Sequence, residues 1–287
     1  MNQTKENGMR LIFLIAACVS ILCVLLICLF LFINGFPTMV EIGLLKFLLG
    51  TQWKPGSNLF GIAPMILGSL YVTAGAIIIG VPLGVLSAVF MARFCPKWLY
   101  KMLNPGISLL AGIPSIIYGF FGLVVMVPAV RQIFDNTFDT SGKSMLTASV
   151  LLGIMILPTI ISVSETAIRA VPESYYEGAL ALGATHERSV FFACLPAAKS
   201  GIMAGIILGI GRSIGETMAV IMVAGNQTMI PDSLFHGLRT LTANIVLEMG
   251  YATDLHRKAL VATAVVLFIF ILIINLLFSL VKRRQPF

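Results

Sequence analysis

The chain has 287 residues, of which 58% are hydrophobic and only 11% are charged, and its mean hydropathy is +1.00. Soluble globular domains carry about a quarter charged residues, so the composition excludes a water-soluble fold and indicates an integral membrane protein. The net charge of +7 does not point to nucleic acid, because the basic residues lie in short stretches beside apolar runs, with no basic stripe interleaved with aromatics.

Six apolar segments meet the length of about 20 residues that a spanning helix needs: 11–33, 63–92, 105–130, 146–163, 201–224 and 259–281. The first is too long for the apolar region of a signal peptide and no small-residue cleavage site follows it, so a retained helix is expected. The third contains Gly112, Pro114, Gly119 and Gly122 and is expected to be kinked or irregular. The fourth is the shortest and carries Pro158. Ser115 and Thr166 read as helix-stabilising hydroxyls. With the N-terminus inside, the inner segments hold 11 Lys and Arg and the outer ones 7, which favours both termini on the cytoplasmic side. Residues 1–62 form a first helix and outer loop, and 63–287 form the transmembrane core. The outer loop at 34–62 has a turn at Pro55-Gly56. The outer loop at 225–258 contains an amphipathic run at 241–248, either a surface helix or a re-entrant piece. Cys18, Cys23 and Cys28 lie in the first span without sharing a face, and Cys95 and Cys194 fall in inner loops, so no disulfide framework is expected. His186, His236 and His256 are scattered, which argues against a metal centre.

The fifth segment holds the only charged pair inside an apolar span, Arg212 and Glu216 in Gly211-Arg-Ser-Ile-Gly-Glu-Thr-Met-Ala-Val220. In a continuous helix Arg212 falls near mid-span, and Glu216, four residues on, shares its face. An arginine there costs about 2.5–3.5 kcal/mol on insertion scales and needs a partner or a polar cavity. Two readings stand: a pair that braces helix packing, or a charge lining a polar path. The guanidinium fork suits an oxyanion. The same segment carries Gly201-x-x-x-Gly205-x-x-x-Gly209 and Gly211-x-x-x-Gly215, a pattern that permits close helix approach or a hinge. Gly80-Val-Pro-Leu-Gly84 invites the same two readings.

The inner loop at 171–196 reads as two short helices around a glycine turn. Pro172 suits a first helical turn, Glu173 and Glu177 favour a helix N-terminus, Gly183 ends the first helix, and Pro196 is expected to break the second. The run Glu177-Gly-Ala-x-x-x-Gly183, nine residues, then Ala193-x-Leu195-Pro196 resembles the EAA loop of binding-protein-dependent ABC importer permeases. It departs at Gly178, where alanine is usual, and at Ala193, where isoleucine is usual. The resemblance implies an all-α, type I ABC importer permease fold with six transmembrane helices. It also implies that Glu177, Ala179, Gly183, Leu195 and Pro196 belong to the element that docks on an ATPase subunit.

Residues 211–220, Arg239-Thr-Leu-Thr-Ala-Asn-Ile-Val-Leu-Glu-Met-Gly250 and Leu59-Phe-Gly-Ile-Ala-Pro64 resemble the phosphate-specific PstC branch of that family. The likeness runs from about residue 50 to the C-terminus. It implies an inorganic phosphate importer working by alternating access in a bacterial or archaeal cytoplasmic membrane; the chemistry of an intramembrane guanidinium facing an oxyanion then places Arg212 and Glu216 on the translocation path. The implied partners are a PstA-like paralogous permease, two PstB-like ATPase subunits and a PstS-like phosphate-binding protein. The chain has no G-x-x-x-x-G-K-[ST] loop and no catalytic constellation. It is therefore expected to be no enzyme and to hold no cofactor, with ATP and Mg on the ATPase. The alternatives are a permease for molybdate, sulfate or phosphonate, or an anion carrier or channel independent of an ATPase.

Overall fold

The computed structural model describes residues 3–134 and 140–283, with side chains over 6–134 and 140–277. The helices are α1 (Gln3–Ile42), α2 (Leu44–Leu49), α3 (Ala63–Val89), α4 (Lys97–Gly112), α5 (Ser115–Phe121), α6 (Val127–Phe134), α7 (Met145–Arg169), α8 (Glu173–Ala181), α9 (His186–Ser189), α10 (Leu195–Gly215), α11 (Met218–Val223), α12 (Leu241–Met249) and α13 (Asp254–Arg283). A small antiparallel hairpin, β1 (Trp53–Lys54) with β2 (Leu59–Phe60), pairs Trp53 with Phe60. Six helical stretches among the described residues are long and apolar enough to cross a membrane: Glu6–Ile42, Ala63–Phe94, Ser115–Phe134, Met145–Arg169, His186–Gly215 and Asp254–Leu277.

α7 is the most buried of these spans and the centre of the bundle. It starts cleanly because the Ser144 hydroxyl accepts from the Thr147 N–H at 3.3 Å, satisfying a donor that a helix start leaves open. α3 and α10 lie against it, and glycines set the spacing. A methyl group at Gly80 would fall 2.7 Å from the Ile156 side chain, and one at Gly84 2.8 Å from Ile160. Gly205 faces Val163 and Ser164, and Gly209 faces Ile160 and Ile156. The 201–209 glycines are thus a packing seam with α7, as small-xxx-small patterns permit in lipid. Gly211 and Gly215 face open space. α1 lies outside this core and leans on α13, with Phe32 edge-on to Phe268.

Three expectations are corrected by the chain path. The third segment is two helices rather than one kinked span: α4 ends at Gly112, Pro114 forces extended backbone, and the span begins at Ser115. Pro196 does not break a helix. It follows by one residue a π-turn at Val190–Cys194, through which the helix runs on from α9 into α10, and the widened turn accommodates its missing N–H and its ring. The fifth span does not continue to residue 224, because α10 stops at Gly215. The fourth span, despite Pro158, is an unbroken helix of 25 residues. The run at 241–249 is a short helix with Leu241, Thr242, Ala243, Asn244 and Glu248 buried, so it is not a surface helix.

Candidate translocation and coupling sites

Arg212 sits in the last turn of α10, and Glu216 lies beyond that helix with extended backbone, φ −69° and ψ 131°. The two therefore do not share a helix face, which corrects the expectation from their spacing. Each complements a different broken end. Arg212 is a cation at a helix C-terminus, where the peptide dipoles leave partial negative charge. The Glu216 carboxylate turns to the start of α11, its Oε1 accepting from the Thr217 and Ala219 N–H groups at 3.1 Å each, a capping arrangement. The Glu216 carbonyl accepts from the Thr242 hydroxyl at 3.1 Å, tying the break to α12.

The break lies deep in the bundle. Because α10 runs antiparallel to α7, Gly201 faces Ala167 and Gly209 faces Ile156 and Ile160. Arg212 accordingly meets α7 near its middle, donating from Nη1 to the Thr159 hydroxyl at 3.5 Å. That is the long end of hydrogen-bond geometry, and a guanidinium has five N–H donors. Among the described residues Arg212 forms no ion pair, and the face beside it is opened by Gly211 and Gly215. Non-helical backbone at membrane depth is tolerated where it is buried in protein or lines a wet cavity. The arrangement can present several donors to an anion at the level where a helix is interrupted.

The loop at 171–196 is a knob at one end of the bundle. α8 starts after Pro172 and ends at Gly183, whose φ of +83° is a left-handed conformation that suits glycine. The Ala184 N–H donates to the Ala179 carbonyl at 3.1 Å and the Gly183 N–H to the Leu180 carbonyl at 2.9 Å, closing the helix in a Schellman-type cap. Thr185 caps α9 through the Arg188 N–H at 3.4 Å. Glu177 and Pro196 are exposed, Ala179 and Leu195 half-buried, and Leu182 is 91% exposed. Between the knob, α7 and α10 lies an open groove of about 730 Å³ lined mainly by small and apolar residues, among them Ala170, Tyr175, Phe192, Pro196 and Gly201. The expected coupling residues therefore share one projecting unit. Arg212 and Glu216 belong to a separate region.

Two charged clusters escaped the sequence reading. At the hairpin end, buried Glu248 accepts from the Trp53 indole N–H at 2.8 Å and from Arg239 at 2.5 Å, and its Oε2 lies 2.8 Å from His256 Nε2. Arg239 also donates to Asn244 Oδ1 at 3.0 Å. At the knob end, Arg169 bonds Glu165 at 2.7 Å, and Arg93 bonds Glu173 at 3.0 Å. The Glu165 carboxylate, hydrogen-bonded to the Tyr100 hydroxyl, raises that phenol above its ordinary pKa of 10.0. The partners in these clusters are up to 195 residues apart in sequence, so spacing gave no signal. The weak clue was a carboxylate within an apolar run, Glu165 near the end of the fourth span.

The model of the family described as the binding-protein-dependent transport system inner membrane component matches residues 80–285. The probable ABC transporter permease protein YqgH of Bacillus subtilis is 38% identical, over 96% of this chain and 92% of its own. The phosphate transport system permease protein PstC of Mesorhizobium japonicum is 36% identical, over 78% of this chain and 74% of its own. A solved inward-facing structure of the MetNI methionine ABC transporter superposes with a TM-score of 0.63 at 21% identity, covering 81% of this chain and 99% of that one; it shows the shared fold. With six spans, a projecting inter-span knob and a family match over most of its length, the chain belongs to the binding-protein-dependent ABC importer permeases.

Proposed function

We propose that the chain is a permease subunit of an ATP-driven inorganic phosphate importer that forms the translocation path by alternating access. The observation that carries this reading is Arg212, a guanidinium at a helix break midway along α7 with one long hydrogen bond and open space beside it. Phosphate is a mono- or dianion that such a fork binds through two oxygens. The PstC relative is named for phosphate transport. Glu216 acts by holding the break, capping α11, rather than by holding Arg212. The partners are a PstA-like permease beside this chain, two PstB-like ATPases under the knob and a PstS-like binding protein at the hairpin end. Glu177, Ala179, Gly183, Leu195 and Pro196 form the ATPase-coupling unit. ATP and Mg belong to the ATPase, so this chain hydrolyses nothing itself. Both termini face the cytoplasm of a bacterial or archaeal cell, as the Lys and Arg bias supports.

The test is uptake of labelled phosphate by proteoliposomes holding the whole assembly, with binding protein outside and ATP inside, in competition with sulfate, molybdate and a phosphonate. ATP-dependent phosphate uptake that Arg212→Lys lowers by about ten- to a hundredfold is expected, since losing one charge-assisted hydrogen bond costs about 1.5–3 kcal/mol. Preferential uptake of another oxyanion would reassign the substrate. Uptake without the ATPase would make the chain a gated carrier, and full uptake by Arg212→Ala would remove Arg212 from the path.

A further inference from the structure

α8, the helix that would receive the push of an ATPase, has no buried residue of its own. Its apolar seat is small, Tyr176 half-buried against the cluster of Ala88, Val89, Ile168 and Val190, and the directional contacts that fasten it to the spans are polar. α3 ends in a π-turn, Phe90–Phe94, and this turn both sends out an arginine and receives one. Arg93 Nη1 donates to both carboxylate oxygens of Glu173 on α8, at 3.0 and 3.3 Å, while Nη2 reaches the Ile168 carbonyl of α7 at 3.5 Å. Its guanidinium carbon lies 5.9 Å from the centre of the Tyr176 ring, also on α8. In the other direction, Arg169 at the end of α7 donates from Nη2 to the Met91 carbonyl at 2.8 Å. Its Nε is held by Glu165 at 2.7 Å, and its guanidinium lies 4.5 Å from the ring centre of Tyr100 on α4. A π-turn widens the i→i+4 ladder, and here one of its carbonyls is taken by a side chain from another helix.

We propose that Arg93 and Arg169 form a reciprocal clasp that makes α8 and the adjoining ends of α3, α4 and α7 move as one body, so that displacement of the knob is delivered to the spans. Both are positioning residues for the transport cycle. The clasp is not chiefly a stability device: Glu173 is 57% exposed, and ion pairs with an exposed member contribute little to folding. What it supplies is geometry, with two planar guanidinium groups fixing three helix ends by directional bonds. The inference rests on the ATP-driven importer reading above.

Two readouts on the complete assembly test it. The first is the spin-label distance between Ser174→Cys on α8 and Lys101→Cys on α4, with and without ATP. A narrow distribution unchanged by ATP is expected with the native clasp, and a broadened one with Arg93→Gln or Arg169→Gln. The second is labelled phosphate moved per ATP hydrolysed. Each variant should lower this ratio by about tenfold, within the usual range of coupling between sites, while ATP hydrolysis persists. The exchange Arg93→Glu with Glu173→Arg should restore most of the loss in Arg93→Gln. The proposal is overturned if ATP changes the α8–α4 distance in the native assembly. It is also overturned if the variants leave the ratio unchanged, or if hydrolysis and uptake fall together without rescue by the exchange. If the native assembly moves no phosphate, the phosphate reading fails, and the distance measurement still decides the clasp.

Discussion

At the scale of single residues, charge in this protein is placed where the backbone is interrupted or where elements meet. Arg212 and Glu216 look like an i, i+4 pair, yet a helix end falls between them and each complements one side of the break. Glu248 is the other case. Its carboxylate is 8% exposed and joins β1 through Trp53, α13 through His256 and the 225–240 segment through Arg239. Removing one member of a buried pair leaves the other desolvated and uncompensated, at a cost of about 3–5 kcal/mol. Glu248→Gln should therefore lower the stability of the detergent-solubilised protein by about 3 kcal/mol, read as a fall in its thermal unfolding midpoint. Glu173→Gln, with a half-exposed carboxylate, should change stability by less than about 1 kcal/mol. Equal effects of the two substitutions would contradict this assignment of buried and exposed roles.

At the scale of elements, π-turns and prolines go together. The widened turns at Phe90–Phe94, Gly122–Met126 and Val190–Cys194 are each followed, after one residue, by Pro96, Pro128 and Pro196. Proline lacks an N–H and its ring crowds the carbonyl four residues back; at Pro128 and Pro196 widening the preceding turn relieves that conflict without ending the helix, whereas before Pro96 the helix ends at Phe94 and Cys95 is extended. This is why the loop after α8 rejoins α10 as one stiff rod instead of stopping at Pro196. The knob's other end depends on Gly183, whose φ is +83° and around which a Cβ would meet nothing within 4 Å. The cost of substitution there is purely conformational. Gly183→Val should cost about 1–2 kcal/mol and reduce ATP-dependent uptake, whereas Gly183→Asn, a residue that tolerates left-handed backbone, should keep most of it. Matched losses in uptake would show that the side chain, not the backbone, matters at this position.

At the scale of the whole molecule, α7 is the axis on which α3 and α10 are laid, and the knob and the hairpin lie at opposite ends of it. α3 and its π-turn run from the hairpin to Arg93, and the first turn of α13 places His256 beside Trp53. This polarity makes the topology testable. A thiol-specific impermeant reagent should label Met229→Cys, a 72% exposed position in the 225–240 segment, from outside intact cells. It should label Leu182→Cys, 91% exposed on the knob, only in inverted vesicles. Labelling of Leu182→Cys from outside and of Met229→Cys only in inverted vesicles would reverse the orientation drawn from the Lys and Arg bias, and labelling of both from the same side would contradict the placement of knob and hairpin at opposite ends.

Amino-acid sequence alone determined the class of the molecule and the two-helix knob at 171–196, because both rest on local chemistry. Length and hydropathy mark a spanning helix, and proline and glycine at set positions mark where α8 starts and stops. Tertiary structure decided the rest. It split the 105–130 segment at Pro114, carried a helix through Pro196, and ended α10 at Gly215 so that Arg212 and Glu216 parted. It also assembled the Glu248 hub and the Arg93–Arg169 clasp from residues 75 or more positions apart in their longest links. The physical reason is range. Periodicity and turn chemistry act over a few residues, whereas a helix break or a buried ion pair is stable only when distant segments supply the hydrogen bonds that lipid cannot.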